Sequence, residues 1–301
     1  FNQHGGQVLA TSFDKYCYIS LRKLPPFFDH KYRIVYSLIE SINDLDDIQH
    51  PSVREVLKYF KIRESFQVAT FTTLPSSTGL GASSTLIVGL VKAIYEIHNK
   101  SISPIKLAEE SYYVEREIIG LAGGFQDQYI AALGGIQILN ISKNLKVKAK
   151  LLNINKEKLE KLQNSLFLLY SGIERNSEKI IESQIKELNI SQAYDQIKAI
   201  GKSSLEYIIT GDLANLGISM DNHWEIKRRM TKTISNSTID RMYIELKSFG
   251  SLGGKIVGAG AGGFFLMVVE KNKNEFIRKA KEANYKFIDF KFESKGAHIV
   301  E

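Results

Sequence analysis

Pro75-Ser76-Ser77-Thr78-Gly79-Leu80-Gly81-Ala82-Ser83-Ser84-Thr85 is the stretch on which the reading of this chain turns. Upstream of it, Phe66 to Leu74 is rich in β-branched and aromatic residues, a strand pattern. Downstream, Ile87, Leu90, Val91 and Ile94 recur on one helical stripe within a segment that runs to His98. A strand therefore enters a glycine and serine loop that opens a helix. Gly79 and Gly81 permit close backbone approach, while the helix turns its unpaired N–H groups toward the loop. Such an end favours an anion through both its donors and its dipole, and Ser83, Ser84 and Thr85 add hydroxyls for phosphate oxygens or for a metal bound to them. A flexible turn with a serine cap fits the same letters, because both residue types are common at helix starts.

Two familiar nucleotide motifs are excluded. The Walker pattern needs Lys followed by Ser or Thr after its last glycine, and neither this loop nor Gly253-Gly254-Lys255-Ile256 supplies it. Gly258, Gly260 and Gly263 spell the dinucleotide fingerprint, but they lead into the apolar strand Phe264 to Val269 instead of a helix.

Working outward, Val8 to Leu21 and Tyr32 to Ser37 alternate as strands, and Pro51-Ser52 opens a helix that aligns Val53, Val56, Leu57 and Phe60. Ser103 and Pro104 supply an N-cap and first-turn proline for a helix to about Ile119. A strand near Gly135 to Ile141 completes a first domain, and the lysine-rich stretch Lys143 to Lys161 is the expected boundary, giving domains 1–150 and 151–301. A strand at Leu166 to Tyr170, several amphipathic helices and a closing helix and strand follow, an α+β mixture instead of regular βαβα.

The 301 residues, 44% hydrophobic, suffice for two cores. Cys17 is the single cysteine and can form no internal disulfide, no apolar run approaches bilayer length and no secretory leader precedes the first strand, so a reduced cytoplasmic protein is expected, without a membrane partner. The net charge of +7 raises nucleic acid as a partner, but acidic residues are interspersed with the basic ones and no basic-aromatic alternation occurs. A small anionic substrate accounts for the balance equally well.

Two acids stand out. The helix from Pro104 aligns Ala108, Ser111, Tyr112, Glu115 and Ile119, which turns Glu115 inward while Arg116 and Glu117 fall mostly to the sides. A buried carboxylate needs a cation or donors, and either an arginine partner or Mg²⁺ would serve. Asp127 follows Gly123-Gly124-Phe125-Gln126, where an Asp is commonly a helix cap.

The loop P-S-S-T-G-L-G-A-S-S-T resembles the second signature of the GHMP kinases, and Lys255 to Gly263, K-I-V-G-A-G-A-G-G, resembles their third, a glycine-rich loop that in that family packs beside the phosphate loop. The resemblance implies a two-domain fold, with a ribosomal protein S5 domain 2-like N-terminal domain and a ferredoxin-like C-terminal domain. It implies ATP bound through Pro75, Ser77, Gly79, Leu80, Gly81, Ala82, Ser83, Ser84 and Gly260, and Mg²⁺ held by Ser84 and Glu115. Because G-F-Q-D-Q is similar to the stretch carrying the family's catalytic Asp, it implies that Asp127 is the general base. The match begins after the family's first signature.

D-K-Y-C-Y-I-S from Asp14, P-P-F-F from Pro25, R-I-V-Y-S from Arg33, H-P-S-V-R-E from His50 and D-N-H-W-E-I-K-R-R from Asp221 resemble the heptose-phosphate kinase branch. That branch implies transfer from ATP to the anomeric hydroxyl of D-glycero-D-manno-heptose 7-phosphate, giving the 1,7-bisphosphate for nucleotide-activated heptose. Arg175, Lys227 and Arg228 are the candidates for the phosphate already present, although each is also read as a solvated surface charge. His223, without partners at ligand spacing, reads as structural, Trp224 as packing and Cys17 as a small buried hydrophobe. Fucokinase-like or galactokinase-like chemistry and a non-catalytic ligand-binding paralogue are the alternatives, and homo-oligomerisation is left open.

Overall fold

The computed structural model of the chain describes residues 5–74, 78–174, 177–187 and 191–300. Pro75, Ser77 and Arg175 lie outside them. In chain order the elements are β1 (Gly6–Thr11), β2 (Cys17–Lys23), β3 (Tyr32–Val35), β4 (Ile39–Ile42), α1 (Pro51–Tyr59), β5 (Phe66–Thr72), α2 (Ala82–Ile97), α3 (Pro104–Tyr113), a π-helical turn (Val114–Ile118), α4 (Gln126–Leu133), β6 (Ile136–Ile141) and β7 (Val147–Leu151). They continue as α5 (Lys156–Gln163), β8 (Leu166–Tyr170), α6 (Ser177–Lys186), α7 (Ser191–Thr210), α8 (Leu213–Arg228), α9 (Ser237–Ser248), β9 (Gly253–Ile256), β10 (Phe264–Val268), α10 (Lys273–Glu282) and β11 (Lys286–Ile288).

Two compact units result. The first contains Ala10–Ser76, Gly81–Gln137 and Glu293–Glu301; the second contains Phe1–Leu9, Ser77–Leu80 and Ile138–Phe292. In the first, β2-β5-β3-β4 form a mixed sheet in which β2 runs antiparallel and β3 parallel to β5. Alternation puts Ile34, Phe66 and Val68 into the core, while Tyr18 and Phe71, cross-strand partners, stay exposed. Helix α2 buries the stripe read from the sequence, Ile87, Leu90, Val91 and Ile94, and packs on β2. Helix α3 starts as expected, with Ser103 Oγ accepting from the Lys106 N–H and Pro104 at the first position.

Two expectations are corrected. The alternating run Val8 to Leu21 is two strands, not one: β1 joins β6 and β7, whereas β2 joins β5. Ser12 makes the break, since its N–H bonds the Gly135 carbonyl at 3.3 Å and its hydroxyl bonds the Glu293 carbonyl at 2.7 Å. The helix from Pro104 keeps α geometry only to Tyr113 and then widens into the π turn, where the Ile119 N–H reaches back to the Val114 carbonyl at 2.9 Å.

In the second unit β8, β9, β10 and β11 form an antiparallel sheet in spatial order β11-β8-β10-β9, the 4-1-3-2 order of a ferredoxin-like fold. One face carries Leu169, Ile256, Phe265 and Met267 against Trp224, Tyr243 and Phe276, all buried. Residues after Phe292 return to the first unit: Glu293 bonds Ser12 and Gly135 through its backbone, and the Ala297 N–H bonds the Ala131 carbonyl at 2.8 Å. Among the described residues no helix is long and apolar enough to cross a membrane.

Candidate active site

Helix α2 begins at Gly81, which caps it with φ at +77° and offers no side-chain hydrogen bond to the first turn. Gly81 itself caps none of the leading N–H groups, which at a helix start point toward the preceding loop, the arrangement that attracts an anion. Thr78 is buried before it, Ala82 is half-buried, Ser83 is exposed and Ser84 is buried. Gly79 and Leu80 form the bend between Thr78 and the cap.

Glu115 faces inward, as its stripe predicts, with 2% of its surface exposed. The π turn brings Val114 and Glu115 inside together. Ser84 Oγ donates to Glu115 Oε1 at 3.0 Å, and Gln128 Nε2 donates to Glu115 Oε2 at 2.5 Å and to Ser84 Oγ at 3.2 Å. Arg116 Nη1 stands 3.7 Å from Glu115 Oε1, so both of the alternatives open from the sequence, an arginine partner and a metal, retain a structural basis.

The pair fits Mg²⁺. In an octahedron with ligands at about 2.1 Å, neighbouring ligand oxygens stand about 3 Å apart, and Ser84 Oγ and Glu115 Oε1 are 3.0 Å apart. No group of three His, Cys, Asp or Glu side chains suited to a metal occurs among the described residues. One hydroxyl and one carboxylate suit an ion that usually completes its shell with phosphate oxygens and water.

Asp127 is the second residue of α4 and not its cap, which is Phe125. Its carboxylate lies against the start of α2: a Cβ placed on Gly81 would stand 3.3 Å from Asp127 Cγ and 3.5 Å from Oδ2. Glycine at position 81 leaves that space open. Ser84, Glu115, Asp127 and Gly81 are therefore brought together within one unit. Sequence reasoning missed Gln128 and gave Arg116 no role; the acceptor-rich neighbourhood of Glu115 was the available signal for the first.

The second-unit candidates are differently engaged. Arg228 spends its guanidinium on Glu225, at 2.9 Å from both Nε and Nη2, and on Asp240 at 3.2 Å. Lys227 donates to the Gly258 carbonyl at the start of the glycine-rich loop. Gly260 is buried in that loop, whose Ala261 N–H bonds the Ile234 carbonyl at 2.6 Å. Burial, then Lys255 and Lys227, push His223 down to about 2, so it is a neutral ring. Burial pushes Lys255 down to about 8 and the Cys17 thiol up to about 11, which keeps Cys17 protonated and unreactive at neutral pH.

Comparison with known proteins places the chain in a family. The GHMP kinases N terminal domain family matches residues 51–135 and the GHMP kinases C terminal family matches residues 204–286. D-glycero-alpha-D-manno-heptose 7-phosphate kinase of Campylobacter jejuni is 31% identical over 247 residues, 81% of this chain and 73% of that protein. Mevalonate kinase of Methanocaldococcus jannaschii is 28% identical over 76% of this chain and 70% of that protein. The structure of a D-glycero-D-manno-heptose 1-phosphate kinase from Bacteroides thetaiotaomicron superposes with a TM-score of 0.80, covering 98% of this chain and 90% of that one at 22% identity. With both family domains matched in order and a relative of this identity spanning most of both sequences, the chain belongs to the GHMP kinases, phosphotransferases that act on an alcohol group.

Proposed function

We propose that the chain transfers the terminal phosphate of ATP to the anomeric hydroxyl of D-glycero-D-manno-heptose 7-phosphate. The observation that carries the reading is the meeting of the Ser84–Glu115 oxygen pair with the Asp127 carboxylate at the uncapped start of α2. The heptose acceptor is supported by the similarity to the Campylobacter jejuni heptose 7-phosphate kinase. The phosphate loop, metal ligands and base are assigned to the N-terminal GHMP domain, and the third motif with Gly260 to the C-terminal one. ATP as donor argues for a cytoplasmic location.

In this reading the N–H groups of the first α2 turn hold phosphate oxygens, and Ser84 with Glu115 holds Mg²⁺. When bound, Mg²⁺ neutralises charge on the phosphates, the main need of a loose phosphoryl-transfer transition state. Asp127 accepts the acceptor proton as the hydroxyl oxygen bonds to the γ-phosphorus and the bond to the β–γ bridging oxygen breaks, its electron pair leaving with ADP. Arg228 is not assigned to the acceptor's existing phosphate, because carboxylates occupy its fork.

Product identification after incubation with ATP, Mg²⁺ and a panel of sugars with and without a terminal phosphate tests the proposal. The expected product is the heptose 1,7-bisphosphate, with Asp127→Asn lowering kcat by about 10²–10⁴ and leaving nucleotide affinity unchanged. Preference for galactose, fucose or mevalonate would assign a different GHMP activity, and nucleotide binding without turnover of any acceptor would make the chain a binding paralogue.

A further inference from the structure

Between the metal-binding carboxylate and the base lies an irregular loop, residues 119–125, and one side chain holds it. Arg116 follows Glu115 on the π turn, and its side chain is only 11% exposed. Its Nη1 donates to the Leu121 carbonyl at 2.9 Å and the Ala122 carbonyl at 3.0 Å, and its Nη2 donates to the Gly124 carbonyl at 3.3 Å. Three loop carbonyls thus converge on one planar fork, which no other side chain can reproduce. Gly123 completes the fit: φ there is +157°, and a methyl group would overlap the Arg116 guanidinium. At the loop's far end Phe125 stacks on Tyr112, with ring centroids 4.0 Å apart and planes at 15°, two residues before Asp127.

The geometry points to Arg116 as a positioning residue that sets the Asp127 carboxylate relative to the Ser84–Glu115 pair by stapling the loop joining them. Arg116 touches neither nucleotide nor acceptor in this assignment, so its loss should misplace the base and spare the metal site. The same guanidinium lies 3.7 Å from Glu115 Oε1, and its Nε is buried without a hydrogen-bond partner among the described residues. The inference rests on the proposed roles of Glu115 and Asp127.

The test uses the full chain and compares wild type, Arg116→Ala, Arg116→Lys, Gly123→Ala and the double variant Arg116→Ala/Gly123→Ala. Turnover, Mn²⁺·ATP affinity and protease cleavage within residues 119–125 are measured on each. Arg116→Ala should lower kcat by about 10²-fold, leave Mn²⁺·ATP affinity within about threefold of wild type, expose the loop to protease and regain turnover with added guanidinium. Arg116→Lys should recover little, because an ammonium carries its three donors on one compact centre and has no second nitrogen placed to reach the Gly124 carbonyl as Nη2 does. Gly123→Ala should cost turnover in the wild-type background and less once Arg116 is absent. An unaltered cleavage pattern in Arg116→Ala would overturn the staple. An exposed loop with normal kcat would overturn positioning, as would kcat and Mn²⁺·ATP affinity falling together without guanidinium rescue. Absence of turnover in wild type itself would sink the proposed function instead, and the protease comparison would still decide the staple.

Discussion

Glu115 illustrates how a buried carboxyl group is made tolerable: a serine hydroxyl and a glutamine amide each donate to one of its two oxygens. Glu115→Gln keeps the volume but removes the negative charge, and should raise the Mg²⁺ concentration needed for half-maximal turnover at least tenfold, measured by metal titration. Ser84→Ala removes the proposed hydroxyl ligand and should give a smaller shift in the same direction. Lys255 offers a different check. Its value of about 8 lies below the ordinary 10.5 of a lysine. Between those pH values the unfolded chain binds the proton and the folded chain does not, so this group makes stability rise with pH across that window. The neutral His223 lies close enough to feel its charge. Urea midpoints at pH 7.5 and 9.5 should therefore favour wild type over Lys255→Met at the higher pH, relative to the lower.

Helix α2 owes its proposed role to what its start lacks, and Gly81→Ala tests that directly. The left-handed torsion costs a side chain about 1–2 kcal/mol, and the new methyl would press on the Asp127 carboxylate 3.3 Å away. Turnover should fall at least tenfold, with a thermal midpoint lowered by only a few degrees. Much of this was legible beforehand: the stripe of α2, the cap at Ser103 and the inward turn of Glu115 follow from spacing alone. The π turn was not, because apolar spacing does not separate a helix that continues from one that widens by a residue. The break at Ser12 was missed although the polar pairs Thr11-Ser12 and Asp14-Lys15 interrupt the run, because the partners that divide it, Gly135 and Glu293, are distant in sequence. Arg116 could not be read at all, because its three acceptors come together only once the loop has folded back.

The ferredoxin-like strand order and the mixed sheet of the first unit realise the α+β reading, and the core around Trp224 behaves as packing, as the sequence suggested. Trp224→Ala should destabilise by about 3–5 kcal/mol in denaturant unfolding, the usual cost of emptying a buried aromatic site. What composition cannot reveal is that a segment distant in sequence completes the first unit. Residues from Glu293 onward bond to Ser12, Gly135 and Ala131, just behind the helix that carries Asp127. Four such bonds at about 1 kcal/mol each mean that removing the segment should cost about 4 kcal/mol and reduce turnover with it.

That returning segment also fixes an order of events on the ribosome. A chain growing from its N-terminus can collapse the first sheet early, yet the brace behind α4 is translated only after the whole of residues 138–292. The first unit must therefore wait, incompletely buttressed, until the residues that follow Phe292 emerge.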